Sequence, residues 1–297
     1  MFATNIYKKF ALPLAAPLGR SLIISTVLQA IAAVFAITGN LLVLTVYYEN
    51  AKLRTRVSSL FAINLAISDF IIGFLVLPLM IFTNVCILFD EVLFLRAVIE
   101  SILIPFLSSV SIWTLLGASV DRLIAIRFPE SYITRVTRKR IHIAVSFSWL
   151  YSSTWIWFPF LPGIVGKYFL MIRSLIGFLV IMLILFGWAT IYRVMRQRRR
   201  KTSECAEGHP NAHMWYCMER KVAKIFFFVT ITLYACFTPL WIRAVGHFFG
   251  VLDDAVFEVF AITFNLLNSA VNPWIYSWTS KDFRRGLFGQ RSATSSS

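Results

Sequence analysis

Charged residues are scarce in this chain. They make up 14% of its 297 residues, and only 14 residues are Asp or Glu. Hydrophobic residues make up 58%, and the mean hydropathy is +0.73. A soluble helical domain does not carry so many long apolar runs, so this composition excludes that class and indicates a membrane protein.

Several short signals are missing as well. No Gly-x-Ser-x-Gly or His-Glu-x-x-His motif occurs, so the sequence predicts no enzyme and no catalytic metal. No Asn-x-Ser/Thr sequon occurs, so N-glycosylation is not expected. The first 20 residues lack a long apolar core ending in small residues. No cleavable signal peptide is therefore predicted, and the first apolar run would act as a signal-anchor.

Seven apolar segments are long enough to cross a bilayer, which takes about 20 residues. They run approximately over Leu22–Val46, Val57–Thr83, Val92–Ile126, Ile141–Leu161, Tyr168–Val194, Val222–Phe249 and Ala255–Trp278. Because short loops join them, the sequence predicts an all-α membrane protein with a seven-transmembrane helix bundle over residues 22–280. Residues 1–21 would form an extracellular tail. Residues 281–297 would form a short amphipathic eighth helix and a disordered cytoplasmic tail.

Positive charge is unevenly placed along this pattern. Most of the 29 Lys and Arg residues fall in the first, third and fifth loops and in the tail. Positive charge concentrates on the cytoplasmic side, so we expect a multi-pass plasma-membrane protein with its N-terminus outside and its C-terminus inside. The basic run Arg196–Lys201 lies beside a span end, which favours membrane lipid headgroups over nucleic acid as its partner.

The four cysteines predict no internal disulfide. Cys205 and Cys217 fall in a cytoplasmic loop, where thiols stay reduced, and Cys236 lies inside the sixth span. Cys86 alone lies near the outer end, where it has no obvious partner.

One carboxylate, Asp69, lies deep in the second span. A carboxylate at this depth costs roughly 2.5 kcal/mol or more and faces the bundle interior or a water-filled cavity. Ser111, Asn268 and Asn272 fall at similar depth on the third and seventh spans. This set predicts a polar pocket for a hydrated monovalent cation, and the alternative is hydrogen bonding between helices. For Asn64 alone, we expect the hydrogen-bonding role.

Two prolines lie inside predicted spans. Pro273 interrupts the seventh span and Pro239 the sixth, just after Phe237. Each proline removes a backbone hydrogen bond and bends its helix, so each site is a candidate hinge.

A charged pair, Asp121-Arg122, stands at the inner end of the third span, and Glu219 begins the sixth. If these spans touch, Arg122 and Glu219 can form a charge-assisted pair whose breaking would free the inner ends. The alternative is an arginine that only extends its head to the membrane surface.

One set of residues, taken in order along the seven spans, identifies a protein family far more specifically than any single member of the set does. It comprises Gly39, Asn40, Asn64, Leu65, Ala66, Asp69, Ser111, Asp121, Arg122, Trp149, Tyr192, Cys236, Pro239, Asn272, Pro273, Tyr276, Phe283 and Arg284. Together they resemble the rhodopsin-like (class A) family of G-protein-coupled receptors over nearly the whole chain. The resemblance implies a sodium pocket at Asp69, Ser111, Asn268 and Asn272. It also implies that Arg122 releases Glu219 and then contacts the G protein, while Tyr192 and Tyr276 close over water in the active state.

The chain departs from the family pattern at several positions. Leu123 stands where the family has Tyr, Phe237 where it has the toggle Trp, and Ala97 where it has the outer cysteine of the third helix. The absent disulfide, a very short fourth loop and Ile184 at the usual fifth-helix proline are similar to melanocortin receptors. The second span is similar to amine receptors, but Ile104 occupies the position of their amine-binding Asp.

The resemblance implies a receptor that binds an extracellular small-molecule, lipid or peptide ligand and activates a heterotrimeric G protein through outward movement of the sixth helix. Candidate pocket residues are Glu100, Ile104, Phe237, Trp241 and Phe264, and Glu100 could instead pair with Arg96. The alternative is a seven-helix membrane transporter. No cofactor is expected apart from Na+ as an allosteric ion.

Overall fold

The computed structural model describes residues 16–88, 94–204, 210–252 and 254–279. The side chains of residues 198–222 and 276–279, and a few isolated ones, lie outside that description. The predicted eighth helix and most of the predicted tails also lie outside it. Every regular element within those four ranges is helical.

Seven long helices, α1 to α7, follow the order of the seven predicted spans. They comprise α1 (Ala16–Glu49), α2 (Ser59–Ile71, Ile72–Val76 and Leu77–Leu88), α3 (Phe94–Val98, Ile99–Leu103 and Ile104–Arg127), α4 (Arg138–Ser152, then Ser153–Phe160), α5 (Gly163–Glu204), α6 (Pro210–Phe249) and α7 (Ala255–Thr279). Short helices at Ala51–Thr55 and Tyr132–Arg135 lie in the first and third loops. The predicted seven-helix bundle is therefore confirmed.

Six of these helices are apolar and long enough to cross a membrane, and α4 is the exception in the ranges described. Its α-helical part ends at Ser152 after 15 residues and continues as a 3₁₀ helix over Ser153–Phe160. A 3₁₀ helix rises about 2 Å per residue, so both parts together reach on the order of 38 Å. This length covers a hydrocarbon core of about 30 Å, so the fourth predicted span is long enough in spite of its short α-helix.

The helices pack as a closed ring around α3. Helix α1 packs against α2 and α7, α7 packs against α6, and α6 packs against α5. Helix α3 contacts α2, α4, α5 and α6. A side chain on the inner face of α3 can therefore reach several helices. Most of the predicted polar residues meet near this face.

Two π-helical turns precede prolines in α2 and α3. The turn Ile72–Val76 comes just before Pro78, and the turn Ile99–Leu103 comes just before Pro105. A proline lacks an N–H group and its ring clashes with the carbonyl four residues earlier, so a wider turn relieves both problems. Each π turn rotates the rest of its helix relative to a regular α-helix, which changes the face presented at the predicted outer end.

Helices α1 and α7 approach closely at Gly39. A Cβ at this position would lie 2.7 Å from both Cβ and Cγ of Pro273. The proline ring cannot rotate away, so only a glycine fits. The close approach lets Asn40, the next residue, donate from Nδ2 to the Ser269 carbonyl at 3.1 Å.

We expect Gly39→Ala to destabilise the bundle by about 1–3 kcal/mol, because the added methyl group overlaps the rigid Pro273 ring. Thermal unfolding of the purified protein in lipid nanodiscs measures this loss. Gly187→Ala is the matched control, since nothing lies within 4 Å of its added Cβ. Equal unfolding temperatures for both variants would contradict the close contact.

Candidate functional site

Asp69 is fully buried in α2 and faces α7. Asn272 Nδ2 donates a hydrogen bond of 2.7 Å to Asp69 Oδ2. Because Asn268 lies four residues before Asn272, the two asparagines share one face of α7. The predicted meeting of Asp69 with the seventh helix is thus observed directly.

Ser111 reaches this region through a neighbour of the carboxylate. Its Oγ lies 3.4 Å from Ser68 Oγ, and it also donates to the Leu107 carbonyl at 3.3 Å. Ser68 immediately precedes Asp69, and both are fully buried. The sequence placed Ser111 at the correct depth, but the structure brings it against Ser68.

Several buried oxygens around this contact have no donor. They are Asp69 Oδ1, Asn40 Oδ1, Asn268 Oδ1 and Asn272 Oδ1. A buried polar atom without a partner is costly, so such a cluster of acceptors calls for water or a cation. One carboxylate with neutral amide and hydroxyl oxygens is a ligand set that suits a hard monovalent ion such as Na+. The residues present therefore fit the predicted ion.

Asn64 joins three helices. Its Nδ2 donates to Thr114 Oγ1 of α3 at 2.7 Å, and its Oδ1 accepts from Trp149 Nε1 of α4 at 2.8 Å. The interhelical role predicted for Asn64 is confirmed. Thr114 was not identified from the sequence, although a threonine in an apolar span is a signal for such a partner.

The inner end of α3 carries a closed polar cluster. Arg122 is 1% exposed, and its Nε donates to Asp121 Oδ2 at 2.9 Å. Tyr132, on the short helix of the third loop, donates to Asp121 Oδ1 at 2.9 Å and accepts from Arg122 Nη2 at 3.1 Å. The arginine thus points into the bundle and does not extend to the membrane surface.

The other predicted switch residues are placed differently. The side chains of Glu219 and Tyr276 lie outside the described part of the chain. Tyr192 on α5 is 65% exposed, so in this conformation it points away from the bundle interior. Tyr132 was missed by the sequence reading, because its role depends on how the third loop folds back against α3.

The prolines of the two candidate hinges lie within helices. Pro239 lies inside α6 and Pro273 inside α7. Phe237 is 6% exposed and its ring centre lies 6.0 Å from that of Trp241. Trp241 in turn makes an edge contact with Phe178 of α5 at 5.7 Å. These aromatic rings connect α5 and α6 just beyond the bend.

The remaining pocket candidates divide into two groups. Ile104 is buried, and Glu100 Oε1 lies 2.7 Å from Arg96 Nε, so Glu100 forms the alternative pair that the sequence allowed. Phe264 is 48% exposed and lies on the exposed side of α7 together with Trp274. The structure therefore does not bring Phe264 to the other candidates.

Comparisons with known proteins find similarity to seven-transmembrane receptors. The family profile described as "7 transmembrane receptor (rhodopsin family)" matches residues 39–165. Cannabinoid receptor type 1B of Takifugu rubripes is 25% identical over 89% of this chain and 62% of its own length. Adenosine receptor A3 of Ovis aries is 26% identical over 84% of this chain and 83% of its own. Probable G-protein coupled receptor 21 of Homo sapiens is 26% identical over 86% of this chain and 79% of its own length.

We expect Trp149→Phe to lower the free energy of unfolding by about 1 kcal/mol, because it removes the indole donor and leaves Asn64 Oδ1 without it. Trp157→Phe makes the same change at a side chain of α4 that is 68% exposed, and should leave stability unchanged. Thermal unfolding in nanodiscs compares the two variants. A larger loss for Trp157→Phe would contradict the three-helix junction.

Proposed function

We propose that this chain is a rhodopsin-like seven-transmembrane receptor and not an enzyme, that it binds an extracellular ligand, and that it activates a heterotrimeric G protein through outward movement of α6. No observation favours the transporter alternative. The chain spans 62% of the cannabinoid relative that it matches.

The observation that carries this proposal is the burial of Arg122. A charge that is 1% exposed is stable only while its partners remain in place, and Asp121 and Tyr132 are among them. Asp121 is adjacent in sequence, but Tyr132 belongs to a loop. A change in the inner ends that withdraws Tyr132 would leave Arg122 available to a partner protein.

Helix α6 is suited to provide that change. Pro239 interrupts its backbone hydrogen bonds, so the half on the inner side can swing while the half beyond the bend stays in place. Glu219 lies 20 residues before this bend. Its predicted pairing with Arg122 in the resting state remains part of the proposal. A ligand would shift this equilibrium by binding the swung state more tightly than the resting one.

The aromatic contacts at Trp241 support a ligand site at the predicted outer end. Trp241 contacts Phe178 of α5 and Phe237 of α6, so these contacts depend on the distance between the two helices. Phe178 is 39% exposed and the contact consists of aromatic rings, which favours an apolar or lipid-like small molecule. One relative is named for cannabinoids and another for adenosine, so the names do not assign a single ligand.

We further propose that Na+ binds beside Asp69 and stabilises the resting state. The unpartnered oxygens of Asp69, Asn268 and Asn272 would accept the ion, and Asp69 would neutralise its charge. Ser111 would contribute through its contact with Ser68. The clustering of positive charge in the first, third and fifth loops supports a cytoplasmic C-terminus in the plasma membrane.

Arg122→Ala should abolish basal G-protein activation, because it removes the side chain that the proposal exposes to the G protein. Energy transfer between Gα and Gβγ in transfected cells, across the Gα classes, measures this activity without a known ligand. The comparison is made at equal surface expression.

Two further variants test the same step. Tyr132→Phe keeps the Asp121–Arg122 pair but removes the hydroxyl, so basal activity should rise, by about fivefold for 1 kcal/mol. Tyr48→Phe, at a side chain of α1 that is 64% exposed, should have no effect. If Arg122→Ala left basal G-protein activation unchanged, the proposed mechanism would be wrong.

Asp69→Asn should abolish stabilisation by sodium. When Na+ is in tenfold excess over its Kd, an ion that binds only the folded protein adds about 1.4 kcal/mol. The unfolding temperature of the wild-type protein should therefore rise when N-methylglucamine chloride is replaced by NaCl at constant ionic strength. The same rise in Asp69→Asn would show that Na+ acts elsewhere.

A further inference from the structure

A buried polar chain crosses the predicted outer end of the bundle. It begins at Arg96 of α3, which is 4% exposed. Arg96 Nη1 donates to Asn84 Oδ1 of α2 at 2.6 Å, and Arg96 Nε lies 2.7 Å from Glu100 Oε1. Arg96 therefore joins α2 to α3, and its counter-charge, Glu100, lies one turn further along α3.

The chain continues from α2 through α1 to α7. Asn84 Nδ2 donates to Gln29 Oε1 at 3.1 Å and to Thr26 Oγ1 at 3.2 Å. Gln29 Nε2 donates to Ser25 Oγ at 2.9 Å and to Thr263 Oγ1 at 3.1 Å. Ser25 and Thr263 also lie 2.6 Å apart through their hydroxyl oxygens. Four helices are thus connected without a break.

Burial makes this connection strong. Ser25, Asn84 and Thr263 are fully buried, and Gln29 is 1% exposed. Hydrogen bonds strengthen one another in a medium of low dielectric constant, and a network whose members are satisfied makes the structure around it rigid. Removing one member leaves the others buried without partners.

The same end of the bundle is not held covalently in the residues described. Cys86 of α2 and Cys236 of α6 are free thiols. Helix α6 has a different link to α7, an ion pair between Arg243 and Glu258 in which the arginine side chain is 34% exposed. Solvent access weakens such a pair, whereas the chain from Arg96 to Thr263 is almost dry.

We propose that the side chains from Arg96 to Thr263 form a non-covalent tether, which holds the outer ends of α1, α2, α3 and α7 as one rigid frame. Helices α4, α5 and α6 lie outside the tether. The frame confines motion at this end to those three helices. This inference rests on the packing and does not need the proposed signalling function.

The test uses the full-length purified protein in lipid nanodiscs. Arg96→Met and Asn84→Leu should each lower the unfolding temperature by roughly 5 °C or more, because each leaves buried polar partners unsatisfied. Arg20→Met is the matched control at an exposed arginine of α1 and should have no effect. A reductant should not change the wild-type unfolding temperature.

A double-mutant cycle separates a tether from two independent losses. Arg96→Met combined with Asn84→Leu should unfold no earlier than the worse single variant, because both break the same chain. Adding Glu100→Gln to Arg96→Met should recover part of the loss, since it removes the stranded carboxylate. If Arg96→Met alone folds poorly, recovery of folding in the double variant Arg96→Met/Glu100→Gln still tests the proposal.

Hydrogen exchange locates the effect. Peptides from the outer ends of α1 and α2 should exchange at least tenfold faster in Asn84→Leu, with no change at their inner ends or in α5. Uniformly faster exchange would show a general loss of stability and overturn the proposal. Additive losses in the double variant, or a reductant effect as large as that of Arg96→Met, would overturn it too.

Discussion

The bundle depends on one constraint: a polar group between membrane helices has no lipid partner, so another helix must satisfy it. Asp69 meets Asn272 across α2 and α7, while Asn64 meets Thr114 and Trp149 across α2, α3 and α4. These contacts fix the rotation of each helix, because a turn of about 100° would strand a carboxylate or an amide in hydrocarbon. Apolar packing alone is less specific, since lipid tails are as apolar as leucine.

Depth along a helix could be predicted from the sequence, because each residue adds a fixed rise of 1.5 Å. Counting placed Asp69, Ser111 and Asn272 at one level, and the structure brings all three to the same region. Rotation was harder to predict. The π turn at Ile99–Leu103 changes the face that Glu100 presents, and no simple periodicity signals such a turn.

Partners supplied by loops and distant helices could not be predicted. Tyr132 acquires its role when the third loop folds against α3, and its sequence neighbourhood contains no motif for this. Gln29 reads as an isolated polar residue in the first apolar span, and Asn84 follows directly after the second. They are 55 residues apart in sequence, and each is a hydrogen-bond partner that satisfies the other where both are buried. In a membrane bundle, unexplained polar residues in different spans are therefore best considered as possible partners of one another.

The kind of contact differs between two groups of helices. Helices α1, α2, α3 and α7 share the Arg96–Thr263 chain at one end, and the Asp69–Asn272 contact joins α2 to α7 in the middle. Helices α5 and α6 contact each other mainly through aromatic and apolar surfaces. Among the side chains that the structure describes, Trp188 Nε1 of α5 donates to Thr230 Oγ1 of α6 at 3.2 Å. Apolar surfaces can slide at lower cost than dry hydrogen bonds can break. The contact between α5 and α6 is therefore less costly to rearrange than the polar contacts among α1, α2, α3 and α7.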